Sequence, residues 1–239
     1  MSSSLSSAEN VADSVIVATM STLGTFSNFL ASITILCNPV RKNPFCTLCL
    51  SHTMASLGVS LAFFYVTSIT LRQAELSTPL IEKIMGQFTM FFWNATVLSH
   101  LAISLNRVVA IASPFKAIQL FTRKRTMYMV LSIWCLAFCQ TVPFFWRASC
   151  YIYYDRSKWK WRFSDGLCGK FFLHCERSKI LILIITLISD VVALVKYIKY
   201  IKITSESTIF MNNEAQKKLR IEVKFFKQVF KLQYFSNFN

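Results

Sequence analysis

The chain has 239 residues, of which 54% are hydrophobic and only 15% are charged. A charged share below the roughly 25% of soluble domains, with uncharged windows between short basic clusters, excludes an ordinary soluble domain and indicates a membrane protein with several helical spans. The formal net charge of +15 fits basic loops facing anionic lipid, and we expect no nucleic-acid partner because no DNA- or RNA-reading motif accompanies it.

Apolar windows predict five membrane-spanning helices. A helix rises about 1.5 Å per residue, so about 20 residues cross a hydrocarbon core of roughly 30 Å. A Ser-rich tail, residues 1–14, precedes the spans and is expected to be extracellular and disordered. An amphipathic segment, residues 217–239, follows them and by itself indicates an interfacial helix. The predicted spans cover residues 15–37, 45–71, 84–113, 127–146 and 180–203.

Basic residues predict which side of the membrane each loop faces. The loops after the first, third and fifth spans hold dense Lys and Arg clusters, so we expect them in the cytoplasm and the N-terminus outside. The loop after the fourth span is also basic, against this rule, but its cysteines favour the oxidising outer side.

The inner end of the third span carries Asn106-Arg107-Val108, and Pro114 follows. An arginine in the last turn of a span can keep its stem in the apolar layer while its guanidinium reaches the interface. From composition alone, an interfacial anchor is the simpler interpretation of Arg107. Pro114 lacks an N–H, so the helix is expected to end or bend near it.

The segment HLAISLNRVVAIASP around Arg107 resembles the inner end of the third helix in rhodopsin-like receptors, specifically the nematode chemoreceptors of serpentine receptor class X. The resemblance extends over residues 24–233. It implies that Arg107, with Asn106 beside it, contacts a heterotrimeric G protein once the sixth helix swings outward. In rhodopsin-like receptors generally an acidic residue precedes this arginine and restrains it. Because Asn106 stands there, that restraint cannot be assumed.

The same resemblance assigns roles to four further residues. Asn28, a lone amide in hydrocarbon that needs a hydrogen bond, corresponds to a polar position facing the second and seventh helices. Trp134 packs between helices, and Pro143 weakens the outer end of the fourth. Lys116 lies in a loop, PFKAIQLFTRKRT, that touches the G protein in such receptors, although a lipid-facing basic loop explains it equally well.

The longest outer loop contains CYIYYDRSKWKWRFSDGLC, from Cys150 to Cys168. Aromatic residues alternate on both arms, which predicts a β-hairpin with its turn near residues 155–157. A disulfide between Cys150 and Cys168 would join its ends and, for a loop of roughly 18 residues, stabilise the fold by about 3 kcal/mol. The spacing resembles the class X outer loop.

Other polar residues within the spans leave alternatives open. Asp190 is a carboxylate in the fifth span, which indicates either a functional site or a pairing with a polar group on a neighbouring helix. Asn94-Ala95-Thr96 matches a glycosylation triplet but lies inside the third span, so we expect Asn94 to be buried. Cys46 and Cys49 have CxxC spacing, yet no ligand cluster accompanies them, and we expect neither a metal nor another cofactor.

The predicted fold is therefore an all-α integral membrane protein. The resemblance implies a rhodopsin-like bundle within residues 15–239, with five complete transmembrane helices and a disulfide-stapled outer β-hairpin. It also implies that residues 217–239 are the approach to a sixth helix. The scattered histidines form no catalytic cluster, so we expect no enzyme.

The resemblance implies a chemosensory G-protein-coupled receptor in the plasma membrane of sensory cilia. A small-molecule (odorant) or peptide ligand would bind between the outer halves of the third, fifth and sixth helices. The sixth and seventh spans are missing from this sequence, so we expect a truncated chain that does not signal alone. The alternatives are a non-signalling fragment, or a degenerate gene product, that pairs with other receptors as an oligomer. A transporter is less favoured because no internal repeat is found.

Overall fold

The computed structural model describes residues 2–37, 43–71, 79–146, 151–155, 160–164 and 166–206. Six helices and one two-stranded sheet lie in these ranges. In chain order they are α1 Ser2–Cys37, α2 Pro44–Leu71, α3 Pro79–Ala112, α4 Pro114–Leu120, α5 Arg123–Trp146, β1 Ile152–Asp155, β2 Lys160–Phe163 and α6 Leu167–Glu206. Residues 207–239, and with them the whole of the predicted amphipathic segment, lie outside the described part of the chain.

The predicted spans agree with the helices in position but not at every end. Helix α1 begins at Ser2, inside the predicted disordered tail, because residues joined to a formed helix extend it without a new nucleation step. Helix α6 begins at Leu167, within the predicted outer loop. The end of α3 at Ala112 agrees with the expected effect of Pro114, which occupies the first position of α4.

Four of the described helices are long and apolar enough to cross a membrane. Helix α5 is not among them, and its first three residues, Arg123, Lys124 and Arg125, are charged. Of the five predicted spans, four thus correspond to helices able to cross a membrane, and the fourth in chain order, residues 127–146, stays a prediction. The four spans are Ala12–Cys37, Pro44–Ser68, Lys83–Ala112 and Leu173–Lys196.

Helix α3 is the centre of the bundle and contacts α2, α4, α5, α6 and β1. Small side chains allow α3 to pack closely against α2 and α5. Ala55 of α2, Ala95 of α3 and Ala137 of α5 are fully buried in one cluster. Many apolar side chains of α1 and α6 point outward instead, for example Phe26 and Leu187, as expected for helices that face lipid tails.

The predicted β-hairpin is confirmed, and it lies against the N-terminal half of α3. Strands β1 and β2 pair antiparallel, with Ile152 opposite Phe163 and Tyr154 opposite Trp161. Ile152 is buried against Met90 of α3, with Trp161 and Phe163 packed around them. The turn was predicted near residues 155–157, and residues 156–159 lie outside the described residues.

Two glycines allow the hairpin backbone to approach the helices. A Cβ placed on Gly86 of α3 would overlap the carbonyl oxygen of Ile152. A Cβ on Gly169 of α6 would overlap the carbonyl oxygen of Ser164. Both contacts are with backbone, which no side-chain rotation relieves, so the docked position of the hairpin depends on glycine at these two sites.

Candidate functional site

Arg107 is buried in the bundle and does not extend outward as an interfacial anchor. Its side chain is only 3% exposed, near the C-terminal end of α3. The guanidinium carbon lies 5.8 Å from the centre of the Phe45 ring, at the start of α2, a distance suited to a cation–π contact. Asn106 is also buried, with 7% of its surface exposed. The simpler interpretation of Arg107 as a lipid-interface residue was wrong for this position.

Asp190 of α6 lies beside Arg107. One carboxylate oxygen, Oδ1, accepts a hydrogen bond from Arg107 Nη1 at 3.4 Å, and the other, Oδ2, is 3.4 Å from Nε2 of His100. Asp190 is 19% exposed and therefore largely removed from solvent. The structure thus pairs Asp190 with polar groups of α3, an arrangement that both predicted alternatives for this residue allow.

His52 of α2 extends this cluster. The rings of His52 and His100 are tilted, with their centres 5.4 Å apart. His52 Nδ1 is buried and has no hydrogen-bond partner among the described residues. The histidines were predicted to be scattered because they are far apart in the chain; helix packing brings two of them together. No spacing rule in a single sequence could have found this group. The inner polar cluster is therefore His52, His100, Arg107 and Asp190.

Neutral hydrogen bonds join the helices around the inner polar cluster. Ser104 of α3 donates to the carbonyl oxygen of Thr186 on α6 at 3.2 Å. Trp134 of α5 donates from Nε1 to the hydroxyl of Ser51 at 2.9 Å, and Ser51 lies 3.3 Å from Ser99 Oγ. Trp134 thus bridges α5 to α2 and lies between helices, where the resemblance placed it.

A second polar cluster lies between the same two helices, closer to the N-terminal end of each. The ammonium of Lys179 on α6 contacts the Asn94 side-chain oxygen and the carboxylate of Glu176. Asn94 is 1% exposed, so its predicted burial is confirmed. Its Nδ2 has no hydrogen-bond partner among the described residues. Sequence analysis missed Lys179, because a lysine close to the end of a predicted span normally reaches the membrane surface.

The geometry agrees with two comparisons to known proteins. The family model of the serpentine-type seven-transmembrane G-protein-coupled chemoreceptor Srx matches residues 19–237. The chain belongs to the Srx family. It is a multi-pass membrane protein of the G-protein-coupled receptor class, and the recognition made from the sequence is confirmed. No curated protein sequence matches the chain.

The fold is similar to that in the crystal structure of squid rhodopsin. The TM-score is 0.69, and 13% of the residues are identical, so the likeness is one of fold alone. The match covers 94% of the Srx chain and 62% of the squid rhodopsin chain. The Srx chain thus spans less than two thirds of the length of this structural relative.

Several predicted site residues of the Srx chain lie apart from both clusters. Lys116 is exposed on α4, and the nearby Arg125 donates to the carbonyl oxygen of Gln119 at 2.6 Å, which joins α4 to the start of α5. Asn28 donates to the Gly24 carbonyl oxygen of its own helix at 2.8 Å. Pro143 lies inside α5, and its side chain is outside what the structure describes.

No group of three metal-ligating side chains occurs within the described ranges. Cys46 and Cys49 are buried as small apolar side chains, and Cys49 belongs to a cluster with Leu48, Ala102 and Ile103. Both lie on α2, and their burial indicates a packing role.

The disulfide between Cys150 and Cys168 stays a prediction. Cys150 lies outside the described residues, as does the side chain of Cys168. We expect mass spectrometry of unreduced peptides to find these two cysteines linked, because the hairpin brings residues 151 and 164 together through the hydrogen bond from Ser164 N to Tyr151 O at 3.0 Å. Quantitative alkylation of both thiols without prior reduction would contradict the pairing.

Proposed function

We propose that the Srx chain forms the sensing and coupling part of a chemosensory G-protein-coupled receptor. The observation that carries this proposal is the position of Arg107. The arginine lies near the inner end of the central helix, buried beside α6, in a chain whose family is chemoreceptors and whose fold is rhodopsin-like. A buried, paired cation in a span is expensive to maintain for packing alone.

The proposed coupling surface is the inner end of the bundle. Arg107 and Asn106 on α3, with the exposed Lys116 on α4, would meet the G protein there. The basic side chains of this end favour the cytoplasmic side, which puts the N-terminus outside. We include α5 as a further span in this orientation because it packs on α2 and α3 like its neighbours and carries outward apolar residues such as Leu131 and Phe138.

The proposed ligand site lies between the outer halves of α3 and α6, below the hairpin. Asn94 and Lys179 supply polar groups in this region, and Met90 and Ile152 supply an apolar wall where the hairpin packs on α3. Such a mixture suits a small organic molecule or a short peptide end, since ligand sites are mostly apolar with a few directed polar groups. We propose sensory cilia as the location, on the family resemblance.

Nucleotide exchange tests the proposal. The whole open reading frame that encodes these residues would be expressed with each major G-protein subtype and exposed to panels of volatile organic molecules and short peptides. We expect at least one ligand to raise guanine-nucleotide exchange above that of cells without the receptor. If the protein reaches the cell surface but shows no basal and no ligand-dependent exchange with any G-protein subtype, the proposed function is contradicted.

A further inference from the structure

The second polar cluster places a cation against a buried amide between α3 and α6. The Lys179 ammonium contacts the side-chain oxygen of Asn94 on α3 and the carboxylate of Glu176 on its own helix. The Lys179 side chain is 13% exposed and that of Glu176 is 19% exposed, so the pair is largely removed from solvent. An ammonium has three N–H donors, and within the described residues two acceptors contact this one.

The Asn94 amide also has a donor that the bundle does not use. Its oxygen faces Lys179, and its Nδ2 is buried without a hydrogen-bond partner among the described residues. A buried N–H without a partner is unfavourable, so packing alone gives no reason for an asparagine at this position. An acceptor group placed beside both side chains would receive hydrogen bonds from Asn94 Nδ2 and Lys179 Nζ.

An apolar surface lies one helical turn from Asn94. Met90, four residues earlier on α3, is buried against Ile152 of β1, and two aromatic side chains of the hairpin end pack around them, namely Trp161 and Phe163. Residues four apart lie on the same face of a helix, so the two donors and the apolar surface are neighbours along α3. A ligand that matches both has an apolar body and an acceptor group at one end.

The chain around this site is more positive than its topology requires. Residues 147–179 hold eight Lys and Arg against three Asp and Glu, an excess of five positive charges. The orientation rule places such an excess in the cytoplasm, whereas this segment is outside in the proposed orientation. A positive field at the mouth of a site attracts anions and raises the rate at which they arrive.

We propose that the ligand is an apolar organic acid whose carboxylate binds Lys179 and Asn94 and displaces Glu176. This inference rests on the proposed function and names the ligand class for the proposed ligand site. Glu176 lies three residues before Lys179 on α6 and occupies the place of the ligand acid in the empty receptor. When the ligand enters, Glu176 turns to solvent. The ammonium then exchanges one carboxylate for another, and the net charge of the site does not change.

Matched probes on the purified protein, expressed from the whole open reading frame, test the ligand class. Octanoate is compared with methyl octanoate and octylamine, and phenylpropionate with its methyl ester and its amine. Each set shares one apolar body, so the ester and the amine control for partition into detergent. We expect an acid to raise Tm in a saturable way, as a ligand of the folded state does, and its ester and amine to leave Tm unchanged. No rise with either acid, or an equal rise with an ester or amine, would overturn the proposal.

Three variants assign the contact to Lys179. In Lys179→Gln, the acid concentration that gives half the maximal rise in Tm should increase by about ten- to hundred-fold, as for loss of one charge-assisted hydrogen bond. Glu176→Gln removes the competing carboxylate and should lower that concentration. Lys170→Gln makes the same chemical change as Lys179→Gln on an exposed residue of α6 and should bind the acid like the wild type. Unchanged acid binding in Lys179→Gln, or no tighter binding in Glu176→Gln, overturns the proposal.

The binding assay needs no G protein, so it separates failure of the ligand class from failure of the receptor function. Acid binding that depends on Lys179, without nucleotide exchange on any G-protein subtype, supports the acid site and contradicts the proposed function. Nucleotide exchange that responds to neutral or cationic ligands and to no acid supports the receptor function and overturns the ligand class.

Discussion

Replacing Arg107 by glutamine is expected to lower the rate of receptor-driven nucleotide exchange by roughly ten-fold or more, within the range of typical allosteric couplings. The protein should still fold. The proposed coupling surface loses its central cation. Asp190 keeps His100 as a partner at 3.4 Å, so the change strands no buried carboxylate, and glutamine fills much of the same volume. The measurement is exchange per surface receptor in the cells used for the wild type.

Two variants make the Arg107 result specific. Arg107→Lys keeps the positive charge but loses the planar fork of donors, so exchange should fall only part of the way. Arg162→Gln removes an exposed arginine from β2, on the opposite end of the bundle, and should signal like the wild type. Full exchange in Arg107→Gln at normal surface level would show that this arginine is not part of the coupling surface.

Substituting Gly169 by valine is expected to displace the outer hairpin. The new Cβ would meet three atoms at the end of the hairpin, namely the Ser164 carbonyl oxygen, the Ser164 carbonyl carbon at 2.9 Å and the Phe163 Cβ at 3.3 Å. Two of these three atoms are backbone, so either the first turn of α6 or the end of β2 must move. Overpacking of this kind costs about 1–3 kcal/mol, enough to undock a short two-stranded sheet, which is marginal without its support.

Limited trypsin digestion measures the hairpin directly, because β2 contains Lys160 and Arg162. We expect faster cleavage at these residues in Gly169→Val, and in Gly86→Val, where the Ile152 carbonyl is the obstacle. Ala110→Val enlarges an exposed residue of α3 and serves as the control. Cleavage at the wild-type rate in both glycine variants would mean that the hairpin is held elsewhere.

The positions of the spans followed from sequence because hydrophobicity is a local property of each segment. Four predicted spans coincide with helices long and apolar enough to cross a membrane, and Pro114 marked the end of α3 correctly. The hairpin could also be predicted, since the aromatic residues over positions 151–163 alternate with a period of two. The start of α6 at Leu167 was missed because the segment before residue 180 mixes charges with aromatics and carries no helical period.

The polar clusters were only partly predictable. Arg107 and Asp190 were each singled out, because a charge inside an apolar window is visible in the sequence. Their pairing was not, and neither was the part played by His52, His100 and Lys179. A histidine or lysine within a span has many possible partners until the rotation and crossing of the helices are known.

The sequence by itself determined the class of protein, the course of its spans, the expected sidedness and the family to which it belongs. Each depends on residue type, spacing or a contiguous motif, and these are properties of the chain alone. Only the tertiary structure decided that Arg107 is buried beside Asp190, that His100 shares this carboxylate, and that Asn94 meets Lys179. These contacts depend on which faces of α3 and α6 pack together, and the packing of all the helices determines those faces.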